Sequence, residues 1–301
     1  MKQIIAIVGP TASGKTALSI KLAQALNTEI ISADSRQFYK EMSIGTAVPE
    51  PEELAAAKHH FIQNKSIFDD YNVGDYEQDF LKLSKKLFQT KDTLILVGGS
   101  GLYIDAACKG LDNLPDKNKA IRQELTHDLK EKGIESLQKQ LQTLDPDYYQ
   151  KIDIQNPHRL IRAIEILLQS NGKKMTDLHQ KKAKRDFETI YIGLTGEREV
   201  LYDRINRRVD IMIVQGLVEE AKKLYPYKEQ NALQTVGYRE LFLYFDGQYN
   251  LDFAISEIKK NTRRFAKRQL TWFRKNKDIK WFDMAYNFEE ILKYLKMRNE
   301  E

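Results

Sequence analysis

Cysteine is almost missing from this chain of 301 residues: Cys108 stands alone, which excludes an intramolecular disulfide and any zinc site built on four thiolates. Such usage fits a reducing compartment, so a cytoplasmic location is expected. Proline (7) and glycine (15) are too scarce for a collagen-like or low-complexity chain. No apolar run approaches the roughly 18 residues of a membrane span, and no membrane association is expected. The apolar opening from Ile4 to Val8 ends at Gly9 and Pro10, too soon for an export signal. His59, His60, His127 and His179 have no metal-ligand spacing with one another or with cysteine, and read as ordinary surface or core residues.

What is there is the composition of a folded chain, 42% hydrophobic and 30% charged, long enough for a sizeable core. Residues 3–8 read as a buried strand, followed by a glycine-containing turn over 9–14 and a helix over 15–26 with Leu18, Leu22 and Leu26 on one stripe. Further buried strands are predicted at 29–32, 93–97 and 189–194, with a helix starting near Leu102. Strands alternating with helices predict a parallel sheet covered on both faces. From about Pro115 the strand signals give way to helices over 121–132, 134–144 and 156–169. After Glu199 helices dominate again, ending in a lysine-rich tail beyond Trp281. The expected organisation is a discontinuous α/β catalytic core over 1–114 and 188–301, interrupted by an inserted all-helical domain over 115–187.

Gly9, Pro10, Thr11, Ala12, Ser13, Gly14, Lys15 and Thr16 match the phosphate-loop pattern G-x-x-x-x-G-K-[ST], set between a strand and a helix as its chemistry requires. Glycines let backbone N–H groups turn around phosphate oxygens, the helix N-terminus adds positive potential, Lys15 adds a charge, and Thr16 offers a hydroxyl to magnesium. The core is therefore expected to be P-loop NTPase-like. A triphosphatase usually also has an apolar strand ending in aspartate, but here the strand at 93–97 runs into Gly98 and Gly99. The acid that closely follows a buried strand is Asp34, at an edge where α/β ligands bind; it is either a proton acceptor, or a helix cap or surface ion-pair partner.

The net charge is only +5, but residues 259–275 hold eight Lys or Arg and no acid. At helical spacing Lys260, Arg264 and Arg268 form a stripe flanked by Arg263 and Lys267, a face suited either to a polyanion or to solvent. Ile258, Phe265 and Trp272 fall opposite and are expected in the core. Arg204 and Arg208 share a helix face and could grip a diphosphate, or pair with Glu197, Glu199 or Asp203. His158, Arg159 and Arg162 make a third basic patch.

Taken together these residues resemble the bacterial tRNA dimethylallyltransferases, also called tRNA isopentenyltransferases, over residues 4–283. The resemblance is carried by the phosphate loop, the run Ser32 to Tyr39, Gly45-Thr46-Ala47, Gly98 to Tyr103, Arg204 to Met212, Val236 to Arg239 and Thr262 to Trp272. It implies transfer of a dimethylallyl group from dimethylallyl diphosphate, the co-substrate, to the exocyclic N6 amine of the adenine just 3′ of the anticodon of tRNA. The phosphate loop then holds the leaving diphosphate with Arg204, magnesium sits on Thr16, and no triphosphate need be hydrolysed, which accounts for the missing strand-end acid. The resemblance makes Asp34 the base, Thr11 a contact to the bridging oxygen, and Arg208 a balance for the developing charge. It also implies tRNA contacts from Asp34, Ser35, Arg36, Gln37, Ser100, Arg122, His158, Arg159, Leu160, Ile161, Arg162, Leu233, Gln234, Thr235, Val236, Gly237, Tyr238, Asn261, Thr262, Arg263, Arg264, Phe265, Ala266, Lys267 and Arg268. Ser100 and His158 depart from the family, which often has threonine and glutamine there. The protein is expected to act as a monomer on tRNA. A small-molecule kinase would use the same loop but consume ATP, and a relative prenylating free AMP would have no use for the block over 259–275.

Overall fold

The computed structural model describes residues 2–112, 114–178 and 184–300, so His179 lies outside the described residues. The chain divides into two compact units, one of Met1–Lys109 with Arg185–Glu301 and one of Gly110–Lys184.

The first unit is built on six parallel strands: β1 (Gln3–Val8), β2 (Ile30–Ser32), β3 (His59–His60), β4 (Thr93–Gly98), β5 (Glu188–Thr195) and β6 (Ile279–Asp283), in the order β3-β2-β4-β1-β5-β6. Side chains alternate across a strand, so β1 must supply two cores. Ile4, Ala6 and Val8 pack on one face with Leu94, Leu96, Tyr76, Phe80 and Ile104, while Ile5 and Ile7 pack on the other with Leu18, Leu22, Ile95, Ile192 and Leu194. This two-sided burial is why β1 reads as an unbroken apolar run. A third core joins helices Leu217–Leu224, Tyr238–Phe245 and the first half of Leu251–Phe273, centred on Leu217, Leu233, Tyr238, Leu241 and Ile258.

Two strands were not expected. β3 has only two residues, too short for any periodicity to register. The stretch expected to open a lysine-rich tail is instead the edge strand β6, followed by helix Phe288–Glu300, whose Ile291 and Leu295 are buried against the sheet. The lysines there occupy the solvent side, which is how edge elements usually carry charge.

The second unit is helical, with helices Lys119–Lys132, Ile134–Leu144 and Pro157–Gln169 around Leu125, Leu137, Leu141, Leu160 and Ile164. Asn156 caps the last of these by accepting from the Arg159 N–H, with Pro157 at the first helical position. Among the described residues, no helix is long and apolar enough to cross a membrane.

Candidate active site

The site is built over the C-terminal ends of the strands, where parallel sheets bind ligands. The turn after β1 is the phosphate loop. Gly9 has φ 143°, and a Cβ there would run into the Leu194 carbonyl, so glycine is required by both conformation and space. Ala12 is held at φ 63°, a left-handed conformation costly for a residue with a Cβ and typical of ligand-gripping loops. Helix Lys15–Ala25 starts at Gly14 without a side-chain cap, leaving its first N–H groups for an anion.

Lys15 Nζ donates to the Pro10 carbonyl at 2.6 Å. Burial, and then nearby Arg208, push its pKa down to about 7 against the opposing charge of Asp34. Arg208 reaches in from helix Arg198–Val214, its Nη1 donating to Thr11 Oγ1 at 3.4 Å. Burial, and then Arg204, lower the Arg208 pKa against Glu53 and Asp34. Arg204 is exposed and sits over Gly14, while the ion pair to Asp203 is made by Arg207. Ser13 Oγ is buried without a hydrogen-bond partner, as expected of a loop shaped for a ligand.

Asp34 follows β2, its Oδ1 accepting from the Arg36 N–H at 2.9 Å. Asp34 lines two adjoining cavities. One holds Lys15, Thr16, Ser19 and Gln37; the other, of about 390 Å3, extends to Ser35, Arg36, Ser100, Gln234, Thr235, Val236, Gly237, Thr262 and Arg268. Both share Thr11, Asp34, Thr46, Ala47, Arg208 and Phe265. Thr16, which lines the same cavity as Asp34, fits a magnesium ion, which takes few protein ligands and fills its shell from phosphate oxygens and water. No cluster of three His, Cys, Asp or Glu exists among the described residues, so such an ion would depend on substrate oxygens.

Phe265 and Trp272 are corrections to the sequence reading. Helix Leu251–Phe273 buries Ala254, Ile258, Ala266, Gln269 and Phe273, a face rotated past both aromatics. Phe265 is left at the cavity wall, and Trp272 is 39% exposed, its Nε1 donating to Asp105 at 2.8 Å. Leu233, Tyr238, Ala266 and Leu160, expected at the RNA surface, have fully buried side chains, because they supply the apolar faces that hold their helices in place. The Tyr238 hydroxyl donates to Glu220 at 2.6 Å, and its ring packs where a Gly45 Cβ would be. Gln37 spends its amide on the Thr46 and Ala47 carbonyls. In the second unit Arg122 and Arg162 both bond to the buried carboxylate of Glu165, at 2.8 and 2.7 Å, while His158 and Arg159 are exposed. Ile161 is nearly buried beside them.

Within the basic block, Lys259 pairs with Asp210, Lys260 with Glu257, and Arg263 Nη1 donates to Asn206, so acids from outside the block do reach it. Arg264, Lys267 and Arg268 remain exposed; Thr262 is half-buried at the cavity wall, and Asn261, also half-buried, donates to Glu240 at 2.8 Å.

Three site residues escaped the sequence reading. Gln269 is buried and bridges the loops, accepting from the Thr11 N–H at 2.8 Å and donating to the Gly99 carbonyl at 2.9 Å. A Cβ on Gly99 would collide with that amide. A lone uncharged polar residue amid cations, on the apolar face of a helix, was the available signal. Glu220 takes the N–H groups of Ser43, Ile44 and Gly45 on one carboxylate, and no spacing announces it. His59 lines the phosphate-loop cavity.

With this geometry in place, comparison with known proteins is specific. A family model described as IPP transferase matches residues 37–276. The tRNA dimethylallyltransferase of Christiangramia forsetii is 58% identical over 295 residues, 98% of each chain, and that of Flavobacterium johnsoniae is 57% identical over 301. The solved full-length tRNA isopentenylpyrophosphate transferase of Bacillus halodurans is 39% identical, with a TM-score of 0.72 over 99% of this chain and 95% of its own. A eukaryotic dimethylallyltransferase acting on tRNA, 26% identical, superposes with a TM-score of 0.78 over 94% of this chain and 74% of its own. A P-loop-type parallel sheet, a site at its C-terminal edge and near-end-to-end similarity thus agree: the chain belongs to the IPP transferase family, the tRNA dimethylallyltransferases.

Proposed function

We propose that this protein is a tRNA dimethylallyltransferase that moves the dimethylallyl group of dimethylallyl diphosphate onto N6 of the adenine immediately 3′ of the anticodon, position 37. The observation that carries the reading is that one acidic residue, Asp34, borders both the phosphate-loop cavity and the larger cavity beside it. A diphosphate in the first and an adenine in the second would meet at Asp34.

The amine nitrogen attacks the allylic carbon, the carbon–oxygen bond breaks toward diphosphate, and the N6 proton passes to the Asp34 carboxylate. Lys15, Arg208, the Thr11 hydroxyl and the loop N–H groups stabilise negative charge as it builds on the leaving oxygen. Arg204, over Gly14, adds to that field from the rim. Thr16 would hold a magnesium ion, which would supply further positive charge to the diphosphate. The adenine must leave its stack, which calls for grip on the RNA backbone. Exposed Arg264, Lys267 and Arg268 suit that task, as do His158 and Arg159 on the unit Gly110–Lys184, taken here as the inserted tRNA-contacting domain. The protein works as a monomer in the cytoplasm.

Purified protein, magnesium and radiolabelled dimethylallyl diphosphate are mixed with unmodified tRNA, with AMP, and with ATP plus nucleosides in parallel. Label enters tRNA and is lost when the adenine is replaced; label in AMP alone overturns the RNA reading. Asp34→Asn lowers turnover by about 10²-fold or more with tRNA binding retained, the usual cost of a lost general base. Near-normal turnover removes Asp34 from that role.

A further inference from the structure

His59 and His60 are consecutive on β3, and alternation sends their side chains to opposite sides. His60 Nε2 is taken by Glu29 at 2.6 Å. His59 instead lines the cavity that holds Lys15, Thr16, Ser19 and Asp34. Its Nδ1 lies 2.8 Å from the Ala57 carbonyl, and since a carbonyl only accepts, Nδ1 carries the proton. Burial, with His60, lowers the imidazole pKa against the Ala57 carbonyl and Glu53, which keeps the ring neutral near pH 7. Its Nε2 is therefore a lone-pair acceptor, and that atom is buried with no hydrogen-bond partner.

No protein atom bonds this buried acceptor, so its partner is a donor that comes from the cavity. A phosphate oxygen becomes its partner only if the ring takes up a second proton; the neutral ring calls for a donor. A water polarised by a divalent cation is a strong donor and belongs beside a diphosphate. We propose that His59 is a positioning residue of the phosphate-loop cavity, its Nε2 accepting a hydrogen bond from a water of the divalent cation held between Thr16 and the diphosphate. The ring thereby fixes the cation from the β3 side, opposite Lys15 and Arg208 in charge logic: those meet the anion, His59 meets the hydrated metal.

This inference rests on the diphosphate reading of the cavity, and the experiment separates the two. Mn²⁺ is titrated by electron paramagnetic resonance against wild type, His59→Asn and His59→Gln, each with inorganic diphosphate, and metal-free diphosphate binding is measured by calorimetry. Asparagine can keep the bond to Ala57 but has nothing at Nε2; glutamine reaches that position with an acceptor. Expected is a loss of about 10- to 100-fold in diphosphate-dependent Mn²⁺ affinity for His59→Asn, the usual cost of losing an outer-shell partner. His59→Gln recovers most of it, and metal-free diphosphate binding is unchanged in both. Wild-type Mn²⁺ affinity in His59→Asn, or an equal loss of metal-free diphosphate binding, overturns the proposal. Diphosphate binding that survives intact in Lys15→Ala overturns the cavity reading itself.

Discussion

Lys15 shows how one side chain can carry both recognition and pH dependence. Free of ligand, it is buried and its pKa is pushed down to about 7, so near neutrality much of it has lost its charge. A diphosphate beside it restores the charged form, so binding takes up protons. Above pH 7 the affinity for diphosphate therefore falls as the pH rises, by up to about tenfold per unit while the bound form stays protonated. Calorimetry in buffers of different ionisation enthalpy measures the uptake; a pH-independent affinity between 7 and 9 refutes it. The linkage on folding has the opposite sense. Between the folded pKa and the ordinary value of 10.5 the unfolded chain binds more protons, so this group favours the ligand-free fold as pH rises. Arg208 belongs to the same constellation. Arg208→Ala slows transfer more than it weakens tRNA binding, and equal losses in a kinetic and a binding assay would assign it to the RNA surface instead.

At the scale of elements, the walls of the site are held by polar clamps. Glu220, on helix Leu217–Leu224, collects three consecutive N–H groups and the Tyr238 hydroxyl, and so positions the loop whose Thr46 and Ala47 face both cavities. Glu220→Ala leaves those donors without their acceptor and costs about 2–3 kcal/mol of stability by chemical denaturation, with a raised KM for the diphosphate substrate. A stability within 0.5 kcal/mol of wild type, about the size of an ordinary surface change, removes the clamp. Helix Leu251–Phe273 divides its labour by face: Gln269 ties the phosphate loop to Gly99 inside, and Arg264 and Arg268 are exposed outside. Arg264→Ala with Arg268→Ala weakens tRNA binding and flattens the plot of log K against log salt, since each lost phosphate contact releases less counterion. An unchanged slope would deny the stripe its RNA contact. The stripe was legible because its residues repeat at helical spacing; the inward role of Gln269 and the wall position of Phe265 were not, because helix rotation is set by what the helix packs against.

For the whole molecule, the two units have separate cores and separate vulnerabilities. In Gly110–Lys184, Glu165 is fully buried; burial raises its pKa, but Arg122, Arg162 and the Asn118 N–H outweigh that and hold it below its usual 4.5. The stability this provides is complete above pH 4.5 and is lost as the pH falls through the lowered value. Hydrogen exchange of helix Pro157–Gln169 should accelerate below that pH, and Glu165→Gln should abolish the step; acid-insensitive exchange in wild type counts against it. The two-sided sheet was legible at 3–8, 29–32, 93–97 and 189–194, because a strand buried on both faces must be apolar throughout. β3 and β6 were not, one too short and the other half-charged at an edge. By itself the sequence determined what local backbone chemistry dictates: the phosphate loop, the central strands, the basic helix and the family. Tertiary structure alone decided that Asp34 borders two cavities, that Tyr238 and Leu233 are core, that Arg122 and Arg162 turn to Glu165, and that His59 joins the site. Those outcomes depend on side chains distant in sequence meeting under packing, and no period or spacing along one strand or helix encodes such a meeting.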